Sequence, residues 1–399
     1  MRKSIILAVV LAVALVAVPA FASVQNVKIS GSVDSTYLYR DNFDLDSTGT
    51  TDIEDISQSV FITQTILQVD ADLTDQVSAT VALINERAWG NDNTNTTTTD
   101  VDLLLAYVTL REMLYSPLTV VVGRQVFAYG NSLIIDATGP NNAGDAGSGL
   151  TGDADDFSKQ TAMDAIRLIF DYNPLTIELL YAKIDENITT SGDDALTDDV
   201  DLYGINSTYE LGDDLNTQVE AYFFAQIDKT TNTNAAASGT KSDTIYIPGL
   251  RASADVLDGL NIQGEVAWQR GTDASPASDA NNQRREAFAA QFISNYQIPN
   301  DILPDVLEEY NPALGYSYTY VSGDSNPTNQ TGNGNALSSE ASAEVNTAWN
   351  QMYENQGGKT IYNALFDLTN LQIHTISLTA NPIEDVTTTL SWHGLWLDK

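Results

Sequence analysis

Residues 164–184 read DAIRLIFDYNPLTIELLYAKI, and this stretch decides the fold. Apolar side chains occupy every second position in each half, so that Ile166 and Leu168 share one parity and Arg167 has the other. A period of two is typical of a β-strand, because successive side chains point to opposite faces of a sheet. The Asn-Pro pair at 173–174 separates the halves, and proline suits a turn because it lacks an N–H. The stretch therefore predicts a β-hairpin with one apolar face and one polar face.

This pattern recurs along the whole chain, beginning with Val27–Tyr39, Phe61–Leu73, Val77–Glu86 and Val101–Arg111. Short breaks lie near 116–117, 173–174, 212–214, 258–259, 299–304 and 382–383, and long polar segments lie near 41–56, 88–100, 128–162, 188–200, 229–243, 271–285 and 323–370. About fifteen strands of roughly ten residues result, joined alternately by tight turns and long loops, which is the layout of an outer-membrane barrel. We predict an all-β fold, a transmembrane antiparallel β-barrel that forms one domain.

Charged residues in the middle of the strands favour a membrane barrel over a soluble sheet. A soluble sandwich has strands of about 5–6 residues, and a parallel β-helix needs a repeat of ~20–30 residues, which this sequence lacks. We expect the apolar parity to contact lipid and the charged parity to line a wet lumen. Aromatic residues at strand ends are expected to form interfacial girdles: Tyr37, Tyr39, Tyr172, Tyr209, Tyr222, Phe223, Trp268, Tyr296, Tyr316, Trp392 and Trp396.

The amino terminus has the features of a secretory signal peptide. Arg2 and Lys3 precede an apolar run and the pattern Ala20-Phe21-Ala22, so we predict a signal peptide over residues 1–22 and the barrel over 23–399. The chain has no cysteine, which argues against disulfide, thiol or Fe–S chemistry. Acidic residues outnumber basic ones 54 to 18, which excludes nucleic acid as a partner.

Four stretches resemble the alginate-export family of outer-membrane β-barrels and its porin-like relatives. They are VVVGRQVFAYGNSLI with Gly123-Arg124-Gln125 and Tyr129-Gly130, MDAIRLIFDY from Met163, YSYTYVSGDSNP with Ser322-Gly323-Asp324 and Pro327, and SWHGLWLDK at the carboxyl end. The resemblance implies a porin-like channel for passive passage of hydrophilic solutes, with oligo- or polysaccharides as candidates. It implies no cofactor, and it favours a monomer in the bacterial outer membrane. The expected partners are the lipid bilayer, lipopolysaccharide, the solute and the barrel-assembly machinery.

This chain departs from that family in its basic residues. The resemblance implies a constriction lined by many arginines, whereas the strands here carry chiefly Arg111, Arg124, Arg167 and Arg251. The predicted pore-lining residues are Arg124, Arg167, Arg251, Asp34, Asp70, Asp171, Glu178, Glu220 and Glu265. The alternative for each arginine is a simple ion pair with a luminal carboxylate such as Asp171. We also expect Arg167→Glu to leave folding nearly intact, because the site would face water.

Two long segments are candidates for special roles. Phe127–Ala162 is long enough to fold inward and narrow the pore, and removal of Asn141–Gly149 would then raise the conductance. The acidic stretch with Asp193, Asp194, Asp198, Asp199 and Asp201 offers oxygen ligands for Ca²⁺, but its spacing matches no EF-hand, and a solvated acidic loop is the alternative.

Two other function classes stay open. An outer-membrane barrel enzyme would need a nucleophile and a base at the rim, and Ser391 and His393 share one face. A structural barrel that anchors the envelope would need a further domain, and none is visible in the sequence. We predict a channel and not an enzyme.

The strand count raises a question about the carboxyl end. Fifteen strands would place Val386–Leu397 at the edge of the sheet, whereas bacterial barrels have an even number of strands, and an unpaired edge in lipid is costly. The count therefore predicts a sequence that lacks strands at its carboxyl end, out of 16–18 in all.

Overall fold

A computed structural model describes residues 26–41, 57–89, 101–114, 117–137, 162–185, 199–229, 242–273, 283–324, 345–354 and 368–399. The predicted signal peptide lies outside these residues, and so do Asn141–Gly149 and Asp193, Asp194 and Asp198.

Among the described residues, sixteen strands make up nearly all of the regular structure. They are β1 (Asn26–Asp41), β2 (Ser57–Asp72), β3 (Val77–Ala88), β4 (Asp102–Leu110), β5 (Leu118–Gln125), β6 (Met163–Asp171), β7 (Leu175–Asp185), β8 (Val200–Glu210), β9 (Gln218–Asp228), β10 (Asp243–Leu257), β11 (Leu260–Asp273), β12 (Gln283–Gln297), β13 (Ala313–Val321), β14 (Val345–Asn346), β15 (Leu371–Ile383) and β16 (Val386–Leu397). A 3-10 turn (Asn300–Ile302) and α1 (Asp305–Glu308) lie between β12 and β13. Within the described part of the chain, no helix combines the length and the apolar character that crossing a membrane requires.

The strands form one antiparallel sheet in which neighbours in sequence are neighbours in space. The order runs from β1 to β13 and then to β15 and β16, while the two-residue β14 pairs in parallel with β12. Tight turns such as Asn173-Pro174 and Asp258-Gly259 alternate with long connections, as the sequence predicts. The fold prediction is therefore confirmed, and the opening stretch forms the β6–β7 hairpin with Ile166 opposite Tyr181.

β1 and β16 are the two ends of this order. β16 spans Val386–Leu397, the same residues that the sequence assigns to the last strand. No ladder joins β16 to β1 in the part of the chain that the structure describes. The prediction of absent strands at the carboxyl end stays a prediction.

Alternation of side chains gives the sheet two distinct faces. We call the face against which Phe127–Ala137 packs the inner face, and the opposite one the outer face. Ile166 of β6 and Ile205 of β8 are outer, with 42% and 43% of their surface exposed. Leu202 and Phe224, on the inner face, are fully buried. Outer apolar side chains are what a lipid-facing barrel wall requires.

Most of the predicted girdle aromatics are exposed side chains. Tyr222 is an exception, because it lies on the inner face and is buried at 5% exposure. Its parity on β9 is that of Glu220 and Phe224, so it cannot reach the membrane interface.

Candidate functional site

A row of polar side chains crosses the inner face of five neighbouring strands. Direct cross-strand pairing aligns Glu220 of β9, Arg251 of β10, Glu265 of β11, Gln291 of β12 and Thr319 of β13. The row is buried, with Glu265 only 1% exposed. Buried carboxylates require hydrogen-bond partners or opposite charges, and the neighbours of this row supply both.

The first neighbour is the segment Phe127–Ala137, which doubles back on itself directly after β5. Tyr129 N donates to Ile135 O at 3.0 Å, and Ala137 N donates to Phe127 O at 2.9 Å. Gly130 stands at the bend with φ of +61°, a conformation that glycine adopts without steric cost. These residues pack against the face opposite the exposed apolar one, and narrowing of a pore by the long loop stays a prediction.

Backbone amides at the bend bind the carboxylates of the row. Gly130 N donates to Glu220 Oε1 at 3.0 Å, and Asn131 N donates to Glu265 Oε2 at 2.6 Å. The Tyr222 hydroxyl donates to the other oxygen of Glu265 at 2.6 Å. These hydrogen bonds from backbone amides and a phenol give the buried carboxyl groups the partners they require, so the two glutamates hold the bend against the wall.

A second anchor lies on β6 and β7. Arg167 binds Glu178 through two hydrogen bonds, Nε to Oε1 at 2.6 Å and an Nη to Oε2 at 2.9 Å. The Tyr129 hydroxyl also donates to Glu178, and the Arg167 guanidinium lies 5.1 Å from the ring centre of Phe127. Burial raises the pKa of Tyr129 above its ordinary value, so the phenol stays neutral and keeps its proton for donation.

A second inward segment comes from the connection between β13 and β15. It covers Val345–Glu354 and begins with β14. Gln269 of β11 binds the backbone of Asn350 in both directions, with Nε2 donating to O at 2.6 Å and Oε1 accepting from N at 2.8 Å. Trp349 is 2% exposed, and its N donates to Ser322 O at 2.9 Å.

The two inward segments pair with each other. Asp136 N donates to Tyr353 O at 2.8 Å, and Tyr353 N donates to Ile134 O at 3.0 Å. We refer to Phe127–Ala137 and Val345–Glu354 together as the inner plug.

Apolar side chains form a core between the plug and the wall. Leu133, Ile134 and Ile135 of the plug are almost completely buried, in one cluster with Phe224 and Ile247 of the wall. The expectation of a wet, charged lumen is therefore wrong for this part of the inner face. The plug removes these positions from water, so apolar side chains are favourable there.

The predicted pore-lining residues fall into three groups. Arg167, Glu178, Glu220, Arg251 and Glu265 all contact the plug or one another. The arginines form ion pairs, as the alternative interpretation had it, but their partners are Glu178 and Glu220 and not Asp171.

Asp171 shares the parity of Arg167 but lies at the turn end of β6, where it accepts the N–H of Asn173 at 3.1 Å. Asp34 and Asp70 lie on β1 and β2, away from the anchors of the plug. Whether any of these residues lines a pore stays a prediction.

Arg124 is placed differently from its prediction. It pairs in register with Ala106 and Asp164, on the face that carries the exposed Val122 and Ile166. Its guanidinium lies 3.4 Å from Asp164, whose side chain is 62% exposed. Arg124 therefore points to the outside at the loop end of β5, because alternation places it opposite Gln125 and Val121.

The described part of the acidic stretch forms ion pairs with two lysines. Lys183 lies 3.2 Å from both Asp199 and Asp201, and Lys229 lies 3.3 Å from Asp199 and 3.5 Å from Asp201. The hydrogen bond from Lys183 lowers the pKa of Asp199, which lies just outside β8. No group of three or more metal-ligating side chains occurs among the described residues.

The candidate catalytic base of the enzyme hypothesis has a local partner. His393 Nδ1 lies 2.9 Å from the hydroxyl of Thr375 on β15. His393 is on the inner face, as its parity predicts, opposite Thr375 in the ladder. Ser391 is likewise opposite Ser377, so the two candidates occupy successive inner positions of β16.

Sequence reasoning missed the second half of the plug. Residues 323–370 read as one polar segment, although AWNQMY at 348–353 concentrates large apolar side chains within it. Tyr129 and Tyr222, which bind the glutamates, were also not singled out as site residues. A loop segment rich in aromatic and aliphatic side chains is the local feature that indicates burial.

Comparison with known proteins finds one family whose model matches most of the chain. The model of a family described as alginate export matches residues 26–399. None of the curated proteins compared with the chain matches it. Among solved structures, a triple mutant of the porin from Rhodopseudomonas blastica is similar at 11% identity and a TM-score of 0.44, over 92% of this chain and 94% of the porin. The trimer form of OmpT, an outer-membrane protein of Vibrio cholerae, is similar at 8% identity and a TM-score of 0.46, over 93% of this chain and 88% of OmpT.

Proposed function

This chain belongs to the alginate export family, and from that premise we propose that it forms a porin-like channel through which hydrophilic solutes diffuse. The protein is a bacterial outer-membrane β-barrel with a role in transport. Alginate is a polysaccharide, so oligo- and polysaccharides are the first solutes to test. The family is one of transport and not of catalysis.

The inner plug is the observation that carries the proposal. A sheet with exposed apolar side chains outside and polar side chains such as Asp34 and Asp70 on its inner face can enclose an aqueous path. A segment held by Glu220 and Glu265 against that wall narrows the path at a defined level. Narrow, fixed constrictions are how general diffusion channels limit the size of a solute.

The remaining partners follow from the faces of the sheet. The outer apolar side chains contact the lipid bilayer, and the outward ion pairs at the loop ends of β5–β9 lie where lipopolysaccharide head groups would be. We propose a monomer, inserted by the barrel-assembly machinery. Light scattering of the detergent-solubilised protein tests the monomer directly.

Planar-bilayer recording tests the channel itself. The purified protein should produce uniform conductance steps, and liposomes that contain it should swell in small sugars faster than in large ones. A wild-type protein that inserts and folds but gives neither steps nor swelling would overturn the channel and leave a structural barrel.

A further inference from the structure

The charge of the inner face leads to a second conclusion, about the solute. Arg167, Arg251 and Arg285 point to the inner face of β6, β10 and β12, and all three side chains are largely buried, with exposed fractions of 18%, 12% and 7%. Each one is neutralised locally. Arg167 pairs with Glu178, and Arg251 lies 3.6 Å from Glu220.

Arg285 is the third of these inner-face arginines, and it is also paired with carboxylates. It lies 3.3 Å from Asp243 and 3.4 Å from Asp273, on the two neighbouring strands. A solute that passes through the barrel therefore meets none of these three cations in a free state. An anionic polymer needs exposed cations along its path, because it must replace lost hydration and counterions.

The plug also decides where a path can run. Its anchors lie on β6, β7 and β9–β12 and at Ser322 directly after β13, in the part of the sheet from β6 to β13. The inner face can be followed from β6 to β1 along residues that pair directly across neighbouring strands. These residues are Arg167, Val121, Thr109, Ser78, Asp72 and Asn26. The inner face of β1–β3 is therefore a part of the barrel wall that carries none of the plug anchors named above.

This wall carries many hydroxyl, amide and carboxylate groups, and its apolar positions Ile62, Ile66, Ala82 and Ile84 are buried or half-buried. We call its polar side chains the polar strip, which consists of Lys28, Ser30, Ser32, Asp34 and Thr36 of β1, Gln64, Gln68, Asp70 and Asp72 of β2, and Ser78, Thr80 and Glu86 of β3. Asp34 is exposed and accepts the Thr36 hydroxyl at 2.9 Å. Asp70 accepts Thr80 Oγ1 at 2.8 Å and Gln68 Nε2 at 2.9 Å.

Carboxylates outnumber cations on the strip. The carboxylates are Asp34, Asp70, Asp72 and Glu86, and the cations are Lys28 and Arg111. Lys28 is opposite Asp70 in the ladder, and Arg111, at the turn, donates to Ser78 at 3.3 Å. The whole chain has the same sign, with a formal charge of −36. A channel wall of one sign concentrates counterions and repels ions of like charge.

We propose that the solute is a neutral or cationic hydroxylated molecule, that it moves along the polar strip, and that polyanions are excluded. The proposal rests on the channel function. It assigns the chain a solute class that lacks the negative charge of a polyuronate, because Arg167, Arg251 and Arg285 on the inner face are already paired with glutamates and aspartates.

Reversal potentials in asymmetric KCl test the proposal on the intact protein. The wild type should prefer K⁺ over Cl⁻, and Asp34→Asn/Asp70→Asn should lose much of that preference. The matched control is Asp258→Asn/Asp301→Asn, which removes the same charge at exposed turns next to β11 and β13 and should keep the preference. Equal effects of the two double variants, or a wild-type preference for Cl⁻, would overturn the polar strip as the path.

Current block by sugars tests the solute class. A neutral glucose oligomer should interrupt the current, and an oligouronate of the same length should not. Block by the oligouronate at the lower concentration would overturn the charge assignment while leaving the channel in place. Absence of any conductance from folded wild-type protein would instead refute the channel function.

Discussion

Arg167 shows how burial changes the meaning of a charge at the scale of one residue. Strand parity places it correctly on the inner face. We no longer expect Arg167→Glu to leave folding nearly intact, because Glu178 binds the guanidinium and the plug shields the pair from water. Two carboxylates would then share a buried site.

We expect Arg167→Met to destabilise the folded barrel by about 3–5 kcal/mol, because it leaves Glu178 buried without its cation. Urea unfolding in lipid vesicles, followed by tryptophan fluorescence, measures the loss. Arg124→Met is the control, since that arginine pairs with an exposed aspartate and should cost under ~1 kcal/mol. Equal losses in the two variants would contradict the buried ion pair.

Asp213 supplies a pH-dependent prediction in the turn between β8 and β9. Its carboxylate accepts the Thr217 N–H and hydroxyl, each at 2.7 Å, and the backbone hydrogen bond lowers its pKa. A lowered pKa in the folded state stabilises the turn above the unfolded value of about 4, and this contribution is lost as the pH falls through the folded pKa. Hydrogen-exchange protection of the Thr217 amide should therefore fall on acidification, and Asp213→Asn should remove this pH dependence. A variant with the wild-type pH profile would show that another group titrates.

At the scale of elements, strands and turns were predictable and the plug only in part. Each strand carries its own period of two, so a local pattern is enough to place it. The plug depends on contacts between Ile134 and Tyr353, which are distant in sequence, and no local period encodes such a pairing. The prediction for Arg124 is wrong for a related reason, because it rests on the neighbouring long loop, whereas the parity of β5 decides which face the side chain occupies.

Gly130→Ala tests the anchor of the plug. An added Cβ would lie 2.6 Å from Glu265 Oε1, at a φ that disfavours alanine. We expect the bend to leave the wall and the single-channel conductance to rise. Gly212→Ala is the matched control, because it has a φ of +68° and open space around the new methyl group, so any conductance change there would reflect backbone strain alone.

For the whole molecule, the two faces of the sheet decide what each position tolerates. Ile166→Arg places a charge on the outer face and should cost about 2–4 kcal/mol if it lies near the middle of the bilayer. Ser32→Arg places the same side chain on the exposed inner face of β1 and should be tolerated. Urea unfolding in vesicles compares them, and the reverse order would mean that the faces are inverted.

The bridge between Asp136 and Tyr353 has a consequence for the order of assembly. Every strand from β6 to β13 lies between its two ends in the chain, so forming it closes a very large covalent loop. Closing such a loop costs conformational entropy before its contacts repay the cost, and proteins with distant contacts fold slowly. The wall should therefore assemble first by zipping neighbouring hairpins, and the interior should fill last, so that a newly inserted barrel would conduct more freely than a mature one.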